Sequence, residues 1–550
     1  MNPFLATDGY KTGHHKMYPE GTTLVYSNFT PRSNKHAPTF MSYVPDQNDE
    51  SLLVPKRNTI DYVVSFGQQM VMKQINIMFN EHFFKRDLVD SWTFEKYGHL
   101  ASTPEKWKEY VKYEILDEIE DEYSIYLDCD YDASHIEALW DLGYLPIKVK
   151  SIPEGTLVPI GVPVLTIYNT EPEFYWVTNF LETLISNLLW KPITSATIAH
   201  QYKKNLIRWA VETDENNLGF VEFQGHDFSM RGLDSIDATI SSGLGHATSF
   251  MGSDSLPVIH GARKYYNETD FVVGSVNATE HSVMCAGAKD SELETFRFLM
   301  KQFPKGILSI VSDTWDLWKV LTEYLPTLKE EILKRDGKIV IRPDSGDPVD
   351  IICGLSKFKL PDGEYDKNHP AYKGVIELLW DVFGGTTNSQ GYKVLDPHIG
   401  AIYGDSITLE RAEEICKRLK EKGFATTNVV LGIGSYTYQY NTRDTFGFAM
   451  KATYVELEKE LPEKLWHKGV KNEIVEREIF KDPITDDGTK KSAKGLLTVR
   501  KSKQFGHYQL IDQVDWKEEG KGELQTIFVD GDFFNETTLT QIRKNLTYGV

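Results

Sequence analysis

The chain has 550 residues, more than one ordinary hydrophobic core accommodates, so several domains or one elaborated barrel are expected. Hydrophobic residues make up 41% and aromatic residues 12%, which excludes a disordered chain, and the net charge of -20 excludes nucleic acid as a general partner, because phosphate backbones call for a basic face. A small anionic ligand stays open, since a few Arg and Lys can converge inside an acidic protein.

In chain order, the N-terminus (Met1-Asn-Pro-Phe-Leu-Ala-Thr-Asp8) lacks a basic region followed by an apolar stretch, so no secretory leader is expected. Residues 40–60, with Pro45, Asp46, Asn48, Asp49, Glu50 and Pro55, read as an exposed insertion. Residues 102–123 are charged and bear Trp and Tyr, which predicts a helical region forming a solvated face. Between 145 and 170 apolar and polar residues alternate, punctuated by Pro and Gly, and this favours an antiparallel sheet. The apolar stretch Trp176–Trp190 is broken by Asn179, Glu182 and Asn187 and is too short and polar to span a bilayer. The four cysteines (Cys129, Cys285, Cys353 and Cys416) are far apart, with no Cys-x-x-Cys, which suits a reducing compartment and neither a disulfide framework nor a zinc site. These features predict a cytoplasmic protein without a membrane partner.

From about 220 to 445 one pattern recurs: an apolar run ends in small or charged residues and a helical pattern follows. The runs are Phe220–Phe223 before His226-Asp227, Phe271–Val273 before Ser275 and Glu280-His281, and Ile307–Val311 before Ser312-Asp313. Ile339–Ile341 before Arg342, Ile399–Tyr403 before Gly404-Asp405 and Val429–Leu431 before Gly432-Ile-Gly434-Ser435 continue the series. The helix after Asp405 has Thr408 as its expected N-cap, Glu410, Glu413 and Glu414 in the early turns, and Leu409, Ala412, Ile415 and Leu419 on one face. Lys420 and Lys422 close it, and Gly423 suits the left-handed position beyond its end. Strands alternating with such helices predict a parallel sheet, barrel or doubly wound, with ligands beyond the carboxyl ends of the strands. After 450 short strand patterns return (Gly495–Val499, Thr526–Val529). A discontinuous outer α+β domain of residues 1–170 and 446–550 is therefore expected around an α/β catalytic unit of residues 171–445.

Residues 338–348 (Lys-Ile-Val-Ile-Arg-Pro-Asp-Ser-Gly-Asp-Pro) deliver Arg342, Asp344 and Asp347 to the end of a buried strand. Pro343 and Pro348 forbid further pairing, and Gly346 permits a sharp turn. A guanidinium beside carboxylates suits a sugar phosphate with its metal; a loop whose Arg342 and Asp344 only shape the turn would read the same. The gathering of polar residues at the other strand ends favours the ligand, and Asp347 reads better as a helix start than as a contact. The common nucleotide loops, Gly-x-Gly-x-x-Gly after a strand and Gly-x-x-x-x-Gly-Lys-Ser/Thr, are absent. The amides of Gly434 and Ser435 could form an anion nest, with Arg443 and Lys451 further on, although turn chemistry explains a glycine there equally well. A lone His is more often structural than catalytic, and His14, His15 and His246 keep that reading, whereas His281 sits at a strand–helix junction after Glu280. His226 and Asp227 precede Phe228 and Arg231 at a separation that lets a ring and a guanidinium share one mouth.

Several of these motifs, in order, closely resemble the nicotinamide phosphoribosyltransferases. They are Leu5-Ala-Thr-Asp8-x-Tyr10-Lys, Tyr168-Asn-Thr-x-Pro172, His226-Asp-Phe-Ser-Met-Arg231-Gly, Gly252-Ser-Asp254, Ser275-Val-x-Ala-x-Glu-His281-Ser, Val311-Ser-Asp313, Ile341-Arg-Pro-Asp-Ser-Gly-x-Pro348 and Gly404-Asp405. The resemblance covers nearly the whole chain except residues 40–60. It implies a type II phosphoribosyltransferase α/β barrel, active as a homodimer whose sites are completed by the partner's chain ends. It also implies that Phe228 stacks one face of nicotinamide and Tyr10 of the partner the other. Asp254 would accept from the carboxamide, Ser309 and Arg342 would lie near the same amide, and Asp313 would support Arg342. Asp344, Gly404 and Asp405 would hold ribose hydroxyls. Arg231, with Arg32, Arg443, Lys451 and Lys481 of the partner, would surround phosphate and pyrophosphate, with Gly434 and Ser435 as backbone donors. Ser435 stands where the family commonly has a second glycine, a change a nest tolerates. Mg2+ would neutralise the pyrophosphate, and ATP would phosphorylate His281 to couple hydrolysis to synthesis.

The implied reaction displaces pyrophosphate from phosphoribosyl pyrophosphate by the pyridine nitrogen, giving nicotinamide mononucleotide for NAD salvage. That nitrogen carries no proton, so positioning and charge neutralisation, with Arg342 and Asp344 at the reacting end, are what catalysis requires. Asp254 predicts nicotinamide over nicotinate, because a carboxylate facing a carboxylate is repelled. The rivals are a nicotinate phosphoribosyltransferase, a sugar-phosphate aldolase or hydrolase, which would want a Schiff-base Lys or an acid–base pair at the strand ends, and a non-enzymatic signalling protein.

Overall fold

The computed structural model describes residues 1–45, 53–355, 368–462, 472–482, 484–485, 492–502 and 506–548. Seven short parallel strands stand at its centre: β1 (Gly225–Asp227), β2 (Gly252–Ser253), β3 (Asn277–Ala278), β4 (Leu308–Val311), β5 (Ile339–Arg342), β6 (Ile399–Tyr403) and β7 (Val429–Ile433). Their hydrogen-bonded order, β3-β4-β5-β6-β7-β1-β2, follows the chain around a circle. A parallel bridge from Gly252 to Gly274 brings β2 back to the segment entering β3. β4 and β6 are buried along their whole length, as strands covered on both faces must be. This is the α/β barrel that the recurring pattern anticipates.

Two expected strands differ. Phe220–Phe223 is helical, ending a 3-10 turn and entering the helix Val221–Gln224, and β1 starts only at Gly225. Three residues apart on a helix, Phe220 and Phe223 share a face, and both line the central cavity. Phe271–Val273 has no strand pairing of its own, and the ladder is reached only at Gly274.

Two helices position the barrel. α1 (Glu182–Thr213) packs along the helix Ile236–Ala247, and α2 (Leu409–Glu421) lies against α1. α2 begins as expected, with Thr408 Oγ1 accepting from Arg411 N at 3.2 Å. Glu413, read in the sequence as an early-turn charge, is instead fully buried; its Oε2 accepts from Arg208 at 2.6 Å and from the Trp209 indole at 2.9 Å.

A second seven-stranded sheet draws on both chain ends. Thr22–Pro31 pairs antiparallel with Phe448–Glu460 on one side and Leu165–Asn169 on the other, and Ile147–Ser151 joins Gln525–Val529. Phe29 and Phe448 stack across the first pair, centroids 5.3 Å apart. The helix Pro104–Leu127 is less solvated than expected, because Trp107, Val111, Ile115, Ile119 and Tyr123 recur at helical spacing and are all buried. Residues Thr39–Pro45 and Leu53–Thr59 form a hairpin in the expected insertion, whose residues 46–52 lie outside the described residues. Tyr43 ties this hairpin to α2 through a 2.7 Å bond to Glu414. At the far end of the chain, Arg543 donates to the carbonyls of Ala247 and Val272 at 2.7 and 2.5 Å, strapping the segments around β2. Among the described residues no helix is long and apolar enough to cross a membrane.

Candidate functional site

The chain leaving β5 makes the tight turn the sequence requires. Asp313, at the end of β4, accepts through Oδ2 from Asp344 N (2.8 Å), Ser345 N (2.8 Å) and Ser345 Oγ (2.5 Å). Asp347 caps the next helix by accepting from Val349 N and Asp350 N, the helix start that the sequence suggests. Arg342 makes its direct hydrogen bond to the main chain, Nη2 donating to the Thr279 carbonyl at 2.7 Å; Asp313 holds the turn and acts on Arg342 through its charge. Thr279 also accepts through its hydroxyl from Val311 N at 2.9 Å, so one residue fixes β4 and the guanidinium together. Its place between Ser275 and His281, within one motif, was the available signal.

Inside the barrel a cavity of about 440 Å³ is lined at its upper end by His226, Phe228, Asp254, Ser275, Ser309 and Arg342. The Arg342 guanidinium stands 6.0 Å from the Phe228 ring centre. Ser309 and Arg342 line this cavity, and among the described residues Ser309 Oγ and Arg342 Nε are buried without a hydrogen-bond partner. His226 Nε2 lies 2.9 Å from Asp254 Oδ1. Burial alone would raise the pKa of Asp254, but hydrogen bonds from His226 and Ser275 and the charges of His226 and Arg342 outweigh it and leave the carboxyl below its ordinary value. Burial lowers the pKa of Arg342, opposed by Asp344 and Asp254. The cavity runs on to the opposite end of the barrel, where Lys338 and Asn428 line it.

At the rim, His281 opens a short helix after β3, its side chain half exposed. Its Nε2 is 3.2 Å from Asp344 Oδ1 and its Nδ1 is 3.3 Å from the Thr314 hydroxyl. Ligand atoms of His281, Asp313 and Asp344 lie within 4.8 Å of one another, and Asp313 Oδ1 is buried without a partner. Next around the rim, a methyl group on Gly434 would stand 2.4 Å from Asp405 Oδ1, a proximity only glycine allows. Ser435 packs against Gly232, beside Arg231, and Gly404 lies next to Asp344 and Arg342. The barrel thus brings Arg231, Asp344, Gly404, Asp405, Gly434 and Ser435 to one rim, with Arg342 reaching from it into the central cavity.

The remaining expected residues form a second group on the outer sheet. Lys451 pairs opposite Asn28, Arg32 donates through Nε to the Gly447 carbonyl at 3.1 Å, and Arg443 opens a 3-10 turn. Burial lowers the pKa of Lys451; Glu182 opposes this, and the charges of Arg32, Lys481 and Arg443 add to it. Tyr10 is 64% exposed, and its ionisation feels both Glu182 and Arg443. None of this group lines the central cavity, and neither do the rim residues Arg231, Asp344, Gly404, Asp405, Gly434 and Ser435.

Residues 223–532 match the nicotinate phosphoribosyltransferase (NAPRTase) family. A nicotinamide phosphoribosyltransferase of Acinetobacter baylyi is 46% identical over 554 residues, covering 99% of this chain and 97% of that protein. One from Mycoplasma pneumoniae is 34% identical over 90% of this chain and 95% of that protein, and one from Xanthomonas campestris is 29% identical over 98% and 97%. With more than half of its length in the family match and relatives aligned from end to end, the chain belongs to the nicotinate phosphoribosyltransferase family.

Proposed function

We propose that this enzyme, a pentosyltransferase, moves the 5-phosphoribosyl group of phosphoribosyl pyrophosphate onto nicotinamide, giving nicotinamide mononucleotide and pyrophosphate in NAD salvage. The observation that carries the choice of base is Asp254, held ionised at the wall of a cavity that Arg342 and Ser309 also line. A carboxamide offers an N–H to the first and a carbonyl to the others; nicotinate would set its carboxylate against Asp254. Phe228 stacks the pyridine ring.

Ribose hydroxyls are held by Asp344, Gly404 and Asp405, and the 5-phosphate by Arg231 with the amides of Gly434 and Ser435. The outer-sheet cations Arg32, Arg443, Lys451 and Lys481, with Tyr10, serve the site of a partner protomer in a homodimer. Lys451 feels the charges of Arg32, Lys481 and Arg443, and Tyr10 that of Arg443, so these residues form one electropositive group on the outer sheet, which supports this reading. Mg2+, bound with the pyrophosphate, would neutralise its charge; Asp313 and Asp344, whose carboxylates come together with His281 at the rim, would hold it through the oxygen donors this ion prefers, whereas the His281 nitrogen suits it poorly. His281, as the family resemblance implies, accepts a phosphoryl group from ATP; its half-exposed ring at the rim and the 3.2 Å approach of Asp344 to Nε2 support that role. The enzyme works in the cytoplasm without nucleic-acid or membrane partners, as an outer unit of residues 1–170 and 446–550 around a barrel of residues 171–445.

The test is an assay of purified protein with phosphoribosyl pyrophosphate and Mg2+, offered nicotinamide or nicotinic acid, with and without ATP. Mononucleotide from nicotinamide, increased by ATP, is expected. Product from neither base would overturn the function, and product from nicotinic acid alone would overturn the choice of base.

A further inference from the structure

We propose that His226 is a specificity-determining positioning residue, which selects amide over acid by holding the Asp254 carboxylate aimed into the base cavity. The inference rests on the proposed function and assigns a second residue to its choice of base.

Asp254 does not hold itself in place. Its backbone N–H donates to the Asp227 carbonyl at 3.0 Å, which fixes the main chain, but its side chain is 41% exposed within an open cavity. His226 is its close side-chain partner, at 2.9 Å. A carboxylate only accepts, so Nε2 of His226 carries the proton and donates it. The imidazole is far better fixed than the carboxylate. It is 9% exposed, its backbone lies in β1 between β7 and β2, and its ring leans on Phe228 with centroids 4.6 Å apart. Gly252 completes the seat, since a methyl group there would stand 2.8 Å from Nδ1 and push the ring away. A rigid donor on one strand thus aims a mobile acceptor at the end of the next.

The competing attraction is Arg342, whose charge also acts on Asp254. Without the His226 donor only Ser275 is left to hold the carboxylate by a hydrogen bond, and the pull of that guanidinium is opposed less. Pairing with Arg342 would remove the acceptor for the amide N–H and also the repulsion that excludes an acid. One substitution therefore weakens the right base and admits the wrong one, which loss of packing alone would not do.

The full-length chain is assayed with nicotinamide and with nicotinic acid at fixed Mg2+. His226→Phe fills the ring volume without the N–H. It is expected to lower the nicotinamide-to-nicotinate ratio of kcat/KM by about tenfold, the loss of one charge-assisted hydrogen bond, through KM for the base and not KM for phosphoribosyl pyrophosphate. His226→Gln, which retains an N–H, is expected to recover much of the ratio. In an Asp254→Asn background, His226→Phe is expected to change the ratio no further. Equal losses with both bases, or effects that add across the two positions, would overturn the proposal. Should His226→Phe fail to fold, His226→Leu carries the same expectation and the same refutation. The parent enzyme is measured first, because a parent that uses neither base refutes the proposed function and not the role of His226.

Discussion

Arg342 and Asp254 divide the work of recognition by charge and by anchoring. Arg342 is fixed by the Thr279 carbonyl and lines the cavity, so its contribution depends on the fork geometry of a guanidinium as well as on charge. Arg342→Lys keeps the charge and loses the fork; KM for nicotinamide is expected to rise roughly tenfold or more, read by steady-state kinetics with the base varied. Unchanged KM would show that charge alone suffices. Asp254→Asn replaces an acceptor-only group by one that also donates. The preference for nicotinamide over nicotinate should fall by about tenfold to a hundredfold, the range of a charge-assisted hydrogen bond. An unaltered ratio would remove Asp254 from base selection. Arg342 was legible because it ends an apolar run at a barrel mouth, whereas Asp254 follows no such run and was found only through the Gly252-Ser-Asp254 motif. The anchor Thr279 was signalled only by its place between Ser275 and His281, because it holds Arg342 through a main-chain carbonyl, which any residue has.

The elements were legible where periodicity and caps agreed, and misread where burial overrode them. Thr408 caps α2 as expected, yet Glu413, one turn on, serves no surface role. It faces Arg208 and Trp209 of α1, a tertiary pairing no local pattern encodes. Burial raises its pKa, and Arg208 opposes that rise. Arg208→Ala leaves this carboxyl buried without its cation and should cost roughly 3 kcal/mol in urea unfolding, the low end for a broken buried pair because Arg208 is partly exposed. A loss below the error of the measurement would mean that Glu413 protonates without penalty. The N-terminal arm offers a pH test. His15 and His135 stack with centroids 3.6 Å apart, and burial, aided by the charge of His15, pushes His135 down to about 3. The unfolded chain binds that proton near pH 6.5 while the folded chain does not, so folded stability falls as pH drops from about 6.5 toward 3. Replacing His135 by Phe should flatten this part of the profile of Tm against pH, and an unchanged slope would place the titration elsewhere.

At the scale of the whole molecule, the two groups of site residues pose a geometrical question that the sequence alone left open. The barrel rim gathers Asp344, Gly404, Asp405, Gly434 and Ser435, while Arg443 and Lys451 stand with Tyr10 and Glu182 around the outer sheet. If the second group completes a partner's site, each active site takes its rim from one protomer and its outer cations from the other. Lys451→Ala and Asp344→Asn should then each be nearly inactive alone, since each removes one contribution from both sites of its dimer. Mixed, unfolded and refolded together, they form hybrids in which one site receives both damaged contributions and the other receives neither. Random pairing makes half of the dimers hybrids with one sound site of two, so about a quarter of the parent activity should return. Size-exclusion chromatography of the mixture confirms that dimers are present. If both groups served the site of their own protomer, every site in every hybrid would still carry one defect, and the mixture would show no more activity than the average of its two components.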